Sequence, residues 1–119
     1  MGKRQAAEKK GRRAEWLAAW TLRFKGYRIL KQRFKTAVGE VDLIAKKGGA
    51  LVFIEVKARQ KLEDGLYAIT PKQRSRIERA ASLFASNMGH MGAMRFDVMI
   101  KADDHFFIKH LKAAWRPDH

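Results

Sequence analysis

Gly39-Glu40-Val41-Asp42-Leu43-Ile44-Ala45, followed shortly by Leu51-Val52-Phe53-Ile54-Glu55-Val56-Lys57, reads as a β-hairpin that carries charge where apolar residues belong. Successive side chains of a strand point to opposite faces. Leu51, Phe53, Glu55 and Lys57 therefore share one face of the second run, and Val52, Ile54, Val56 and Ala58 the other. In the first run Glu40, Asp42 and Ile44 alternate with Val41, Leu43 and Ala45. Strands apolar on both faces belong inside a sheet. Charge there is costly unless it is paired or binds a metal, so the search for function begins with these acids and this lysine.

Gly48-Gly49 suits a tight turn of type I′ or II′. That turn pairs Lys47 with Ala50 and Lys46 with Leu51; counting on, Asp42 faces Glu55 and Glu40 faces Lys57. Opposed residues hold their Cβ atoms roughly 4.5–5.5 Å apart. Two carboxylates that close repel unless a proton or a cation lies between them. Mg²⁺ accepts one or two carboxylates, completed by water and phosphate oxygens. A loop two residues longer keeps all four on one face, whereas a loop of odd length separates the pairs.

The remainder of the chain sets the context. Its 119 residues are expected to form one domain, residues 1–119. The 46% hydrophobic and 32% charged content is that of a globular protein. No apolar run is long enough to span a bilayer, and the basic N-terminus lacks the apolar stretch of a secretory signal. The chain has no cysteine, which excludes disulfides and thiolate metal sites and fits a cytoplasmic location. With 26 Lys and Arg against 12 Asp and Glu, the net charge is +14. Such an excess calls for a polyanionic partner, nucleic acid first. A membrane partner is not expected, since no basic tail with bulky apolar anchors stands out.

Residues 1–10 are expected to fray. A helix is predicted from about Gly11, with Ala14, Leu17, Ala18 and Leu22 on one stripe, Trp16, Trp20 and Phe24 beside it, and Gly26 as its stop. On this pattern Glu15 is a solvated helix acid paired with a neighbouring Arg. Tyr27–Phe34 is predicted as an edge strand, and residues 59–69 as a charged loop. Thr70-Pro71-Lys72-Gln73 opens a second helix with a capping box. Its core stripe is Ile77, Ala80, Ala81, Phe84, Ala85 and Met88, and Gly89 ends it. Met94–Ile100 is a fourth strand, in which Asp97 is read as structural, and His105–Leu111 a fifth. A helix between strands three and four makes those two parallel. The result is an α/β fold with a mixed five-stranded sheet flanked by helices.

Asp42, Glu55 and the Glu55-x-Lys57 spacing suggest metal-assisted phosphodiester hydrolysis. Asp42 and Glu55 would hold Mg²⁺, with Mn²⁺ as a substitute, and Lys57 would orient the attacking water or stabilise negative charge on the phosphate. Glu40 or Glu15 would complete an outer shell. Arg12, Arg13, Arg59, Lys72, Arg74 and Arg76 are candidate phosphate contacts. The alternative for Asp42 and Glu55 is pairing with Lys or Arg at the sheet's rim. No P-loop, zinc spacing among the histidines or nucleophile elbow is present.

Gly11-x-x-Ala14-Glu15, the two hairpin runs, Lys72-x-x-x-Arg76 and Arg95-Phe96-Asp97-Val98 together resemble the bacterial YraN family. That family is similar to archaeal Holliday-junction resolvases within the PD-(D/E)xK restriction-endonuclease-like superfamily. The resemblance spans about Gly11 to Trp115 and implies an αβββαβ core. It makes Glu15, Asp42 and Glu55 the acidic metal site and Lys57 the catalytic lysine. It also implies a DNA endonuclease, structure-selective and resolvase-like, for which a homodimer would supply two cutting sites. In the closing segment Ala113 stands where the family's pattern has Asn. A second hypothesis is a non-catalytic module that grips nucleic acid or scaffolds a complex on a nuclease-like fold.

Overall fold

The hairpin lies at the heart of a five-stranded sheet whose strands follow one another in chain order. The computed structural model describes residues 2–117. The elements are α1 (Lys3–Phe24), β1 (Arg28–Lys35), β2 (Glu40–Lys47), β3 (Ala50–Arg59), α2 (Leu62–Leu66), α3 (Pro71–Met88), β4 (Met94–Ala102) and β5 (Lys109–Trp115). Strands β3 and β4 are parallel, and the other neighbours are antiparallel. This is the expected mixed sheet flanked by helices, with β1 at an edge. The turn has the expected register, Lys47 opposite Ala50 and Lys46 opposite Leu51. Gly48 alone of the turn pair has a positive φ, of 57°, the type II′ pattern.

Alternation on the central strands gives the sheet two apolar faces, and one long helix covers each. Ile44, Leu51 and Phe53 pack with Ile77, Ala80, Ala81 and Ala85 of α3. Leu43, Ala45, Val52 and Ile54 pack with Ala18, Ala19 and Leu22 of α1. The alanines let each helix axis approach the sheet closely. Thr70 and Gln73 form the expected capping box. Gly89 ends α3 at φ 68° and Gly26 follows α1 at φ 89°, the left-handed stop that glycine supplies without steric cost.

Five expectations need correction. The first helix starts earlier than about Gly11: α1 begins at Lys3, with Arg4 and Glu8 paired one turn apart and Lys10 bound to Asp103. Strand β1 runs one residue later than expected. The stretch 59–69 is not all loop, because Leu62–Leu66 forms the short helix α2. Gly65 masked it as a poor helix former, yet a Cβ there would lie 2.4 Å from Ile100 Cγ2, so close packing requires the glycine. Met88 is 44% exposed and lies off the α3 stripe. Strand β5 starts at Lys109, because the turn after Ala102 continues through the exposed Phe106 and Phe107.

Asp97 is structural, as read, but its partners are stronger than expected. Its carboxylate accepts from Arg95 Nε (2.8 Å) and Nη2 (2.7 Å) and from the Ala113 backbone N–H (2.9 Å). His110 Nε2 lies 2.8 Å away and, facing an acceptor, carries the proton; Nδ1 then accepts from Lys25 at 2.8 Å. The β4–β5 register shifts between Phe96 and Val98, opposite this point, and Ala113 there takes φ 50°. A left-handed alanine is strained where Asn or Gly is not. Ala113→Gly is therefore expected to raise stability by about 1 kcal/mol in urea denaturation, and a lower midpoint would refute the strain.

Candidate functional site

The β2–β3 ladder ends at Leu43 opposite Ile54. One residue further, a side chain takes over from the backbone: Asp42 Oδ2 accepts the Val56 N–H at 2.8 Å. No further β2–β3 pair forms beyond Leu43, and the alternation counted along β2 breaks at Asp42: Leu43 packs on the α1 side of the sheet, whereas Val41 packs with Ile44 and Phe53 on the α3 side. Glu40, Asp42, Glu55 and Lys57 line one cleft of about 220 Å³. Gln73 and Arg76 close it from α3, and Glu15 enters it from α1. A second hollow of about 400 Å³ shares Gly11, Glu15, Glu40 and Asp42 with the first and adds Arg12, Arg33 and Lys35. The two form a continuous groove. Five acids, Glu8, Glu15, Glu40, Asp42 and Glu55, line it in a chain that has only twelve.

The carboxylates perturb one another. Glu55 is pushed well above the usual carboxylate range, first by burial, then by a hydrogen bond with the Asp42 carboxyl and the Asp42 charge; Lys57 opposes this and Glu40 adds to it. The raised Glu55 carboxyl therefore favours its protonated form unless a cation lies beside it. Glu15 is raised too: burial lifts it, its Arg33 hydrogen bond opposes, and the Asp42 charge adds. The donor set of the pair fits Mg²⁺, a hard ion satisfied by one or two carboxylates plus water. Among the described residues, no group of three His, Asp, Glu or Cys is placed to hold a metal. Glu15 lies in the groove but is bound to Arg33, whose Nε sits 3.1 Å from its Oε2.

Arg33 and Gln73 are groove residues that sequence reasoning missed. Between Gln32 opposite Leu43 and Phe34 opposite Val41, Arg33 stands across from Asp42 with φ 54°. This strained conformation sends its guanidinium to Glu15, and no sequence period signals it. The expectation that Glu15 pairs with a neighbouring Arg of its own helix is corrected: the partner comes from β1. Gln73 was legible only as a cap.

Of the candidate phosphate contacts, Arg12 and Arg76 line the groove. Arg13 lies in a separate hollow with Lys10 and Lys101. Arg74 stacks over the Trp115 ring at 5.7 Å. Arg59 donates to the Ala58 carbonyl, and Lys72 is exposed at the start of α3. Gly39 fixes the position of Arg76, since a Cβ on it would lie 1.8 Å from the Arg76 carbonyl oxygen. Gly39→Ala must force β2 and α3 apart. A loss of about 3 kcal/mol in denaturant unfolding is expected, and an unchanged midpoint would contradict the contact.

The family model described as "Uncharacterised protein family UPF0102" matches residues 14–100, from α1 through the hairpin to β4. The chain belongs to the UPF0102 family. A UPF0102 protein of Maricaulis maris (strain MCS10) is 46% identical over 117 residues, covering 96% of this chain and 91% of its own. One from Mesorhizobium japonicum is 48% identical over 98 residues, covering 81% of this chain and 78% of its own. One from Sphingopyxis alaskensis is 44% identical over 115 residues, covering 96% and 98%. UPF0102 is the YraN family of the resemblance above. The match includes Glu15, Glu40, Asp42, Glu55, Lys57 and Arg76, so four of the five groove acids fall inside the UPF0102 segment and Glu8 precedes it. No described helix is long and apolar enough to cross a membrane.

Proposed function

We propose that this UPF0102 chain is a metal-dependent endonuclease that hydrolyses DNA phosphodiesters at the Asp42–Glu55 pair. The observation that carries the reading is the gathering of Asp42, Glu55, Glu40, Glu15 and Lys57 in one cleft of a protein with charge +14. Asp42 and Glu55 would hold Mg²⁺ or Mn²⁺, with Glu40 and Glu15 around them. The ion, when bound, polarises the scissile phosphate and lowers the pKa of water. Lys57, on the same cleft wall, orients the attacking water and stabilises charge on the phosphate. Arg12 and Arg76 grip the phosphates on either side. Gln73, whose side chain accepts from the Thr70 N–H at 3.0 Å, steadies the α3 end of the groove. A resolvase-like preference for branched DNA, a homodimer with two such sites and a cytoplasmic setting belong to the same reading.

The Arg33–Glu15 ion pair favours a second reading. With that acid engaged, the groove can bind nucleic acid without turnover, as a recognition or scaffold module. Cleavage of a DNA panel (single strand, duplex, flap and four-way junction) separates the two. The enzyme cuts with Mg²⁺ or Mn²⁺, and Glu55→Ala does not. If wild type and variant both bind with salt-sensitive affinity and neither cuts, the module reading stands and the enzyme reading falls.

A further inference from the structure

Helix α1 carries a row of aromatic rings that the fold does not use. Trp16, Trp20 and Phe24 are 65%, 43% and 87% exposed. They are spaced one turn apart, with ring centroids 6.5 Å and 6.2 Å from one to the next. The helix is already anchored to the sheet through Ala14, Ala18, Ala19 and Leu22. The row is therefore not core residue left over, since a core-facing stripe is already complete beside it. Three large rings held open to water in succession call for an occupant.

The charge around the row selects that occupant. Helix α1 bears seven Lys and Arg against two Glu. A second copy meeting it face to face would set two such cationic helices together. The Arg23 guanidinium lies over the Trp20 ring at 4.9 Å, the pairing of ring and cation that base stacking exploits. A lipid surface needs a broad apolar face, and the apolar face of α1 is taken by the sheet. The row also continues from the groove: Arg12 lines it one turn before Trp16, and Glu15 precedes Trp16 in the chain.

We infer that Trp16, Trp20 and Phe24 form a stacking platform for the unpaired bases of single-stranded nucleic acid, whose phosphates run along the basic residues of α1. A base within a duplex has both faces stacked on its neighbours and cannot lie on these rings. The platform thus favours substrates with a single-stranded arm. It stands whether or not the groove cuts.

The test is titration of the intact protein into fluorescein-labelled (dT)20 and a labelled duplex of equal length, with affinities read by anisotropy and tryptophan fluorescence of the wild type as a second readout. Trp16 and Trp20 report, because the third tryptophan, Trp115, is only 8% exposed. Quenching by (dT)20 is expected. The double variant Trp16→Ala/Trp20→Ala should lose about tenfold or more in (dT)20 affinity while its duplex affinity and melting temperature hold. Phe24→Ser gives a smaller loss and serves if the double variant folds poorly. Glu55→Gln should keep (dT)20 binding, which separates this platform from the cleavage reading. Equal (dT)20 affinity in wild type and the ring variants overturns the inference. So does a nucleic-acid-free dimer in sedimentation, or binding to phosphatidylglycerol vesicles, that only the ring variants lose.

Discussion

Glu55→Gln is expected to abolish metal-dependent cleavage, by at least about 10²–10³-fold, while making the metal-free protein more stable. Both effects come from the same crowding. Burial and Asp42 raise the Glu55 carboxyl above its ordinary range, so the folded state holds a proton that the unfolded chain releases. A group raised on folding gives its full stabilisation below the unfolded pKa and loses it as pH rises through the folded value. Metal-free wild type should therefore lose stability from about pH 5 towards pH 8, and Glu55→Gln, which has no carboxylate to ionise, should not. By pH 8 the variant should lead by about 2 kcal/mol, about 8 °C of melting temperature at this size. Thermal melts of both proteins in chelator across that range check it. A variant less stable than wild type at pH 8 would show that the two carboxyls do not crowd each other.

The second large effect lies away from the groove. Asp97 is fully buried and accepts two hydrogen bonds from Arg95, one from the Ala113 N–H and one from His110. Asp97→Ala leaves a buried imidazole, a guanidinium and a backbone N–H without their acceptor. Losing one partner of a buried, hydrogen-bonded charge costs about 3–5 kcal/mol, a large share of the stability of a small domain. Burial alone would raise the Asp97 carboxyl, but hydrogen bonds from His110 and then Arg95 outweigh it and hold the group at about 2. A depressed carboxyl stabilises above the unfolded pKa and loses that contribution as pH falls through the folded value. The gap between wild type and Asp97→Ala in urea should therefore be widest near neutral pH and narrow between about pH 4 and pH 2. A constant gap would mean that packing rather than charge supplies the stability.

The same residues show which features a sequence displays. The hairpin was legible because three independent signals agreed: two alternating apolar runs, a Gly-Gly turn that fixes register, and acids where an apolar face was due. Register then followed by counting, and Lys47 does face Ala50. The boundaries of α3 were equally plain, because Thr70, Pro71, Gln73 and Gly89 act locally. Helix α2 was hidden because Gly65 is there for contact with Ile100 and not for its conformational preference. Strand β5 slipped because the aromatic run Phe106-Phe107 looks like strand yet forms an exposed turn. Asp97 was read as structural, but its His110 partner is a long-range contact with no local signature. The site was half visible. Asp42, Glu55 and Lys57 stand out as charges in apolar strands, whereas Arg33 enters the groove through a backbone angle. Glu15 owes its place to the resemblance, and its position in the groove became visible only with α1 docked on the sheet.

The measurement closest to the central claim is a calorimetric titration of Mn²⁺ into wild type and Glu55→Gln at neutral pH, in two buffers of different ionisation enthalpy. Because metal ligation displaces the proton that the raised Glu55 carboxyl holds, wild type should bind the ion and release about one proton per site. Glu55→Gln should bind far more weakly and release none. Equal binding by both proteins, or no proton release from wild type, would contradict a metal site built on this pair.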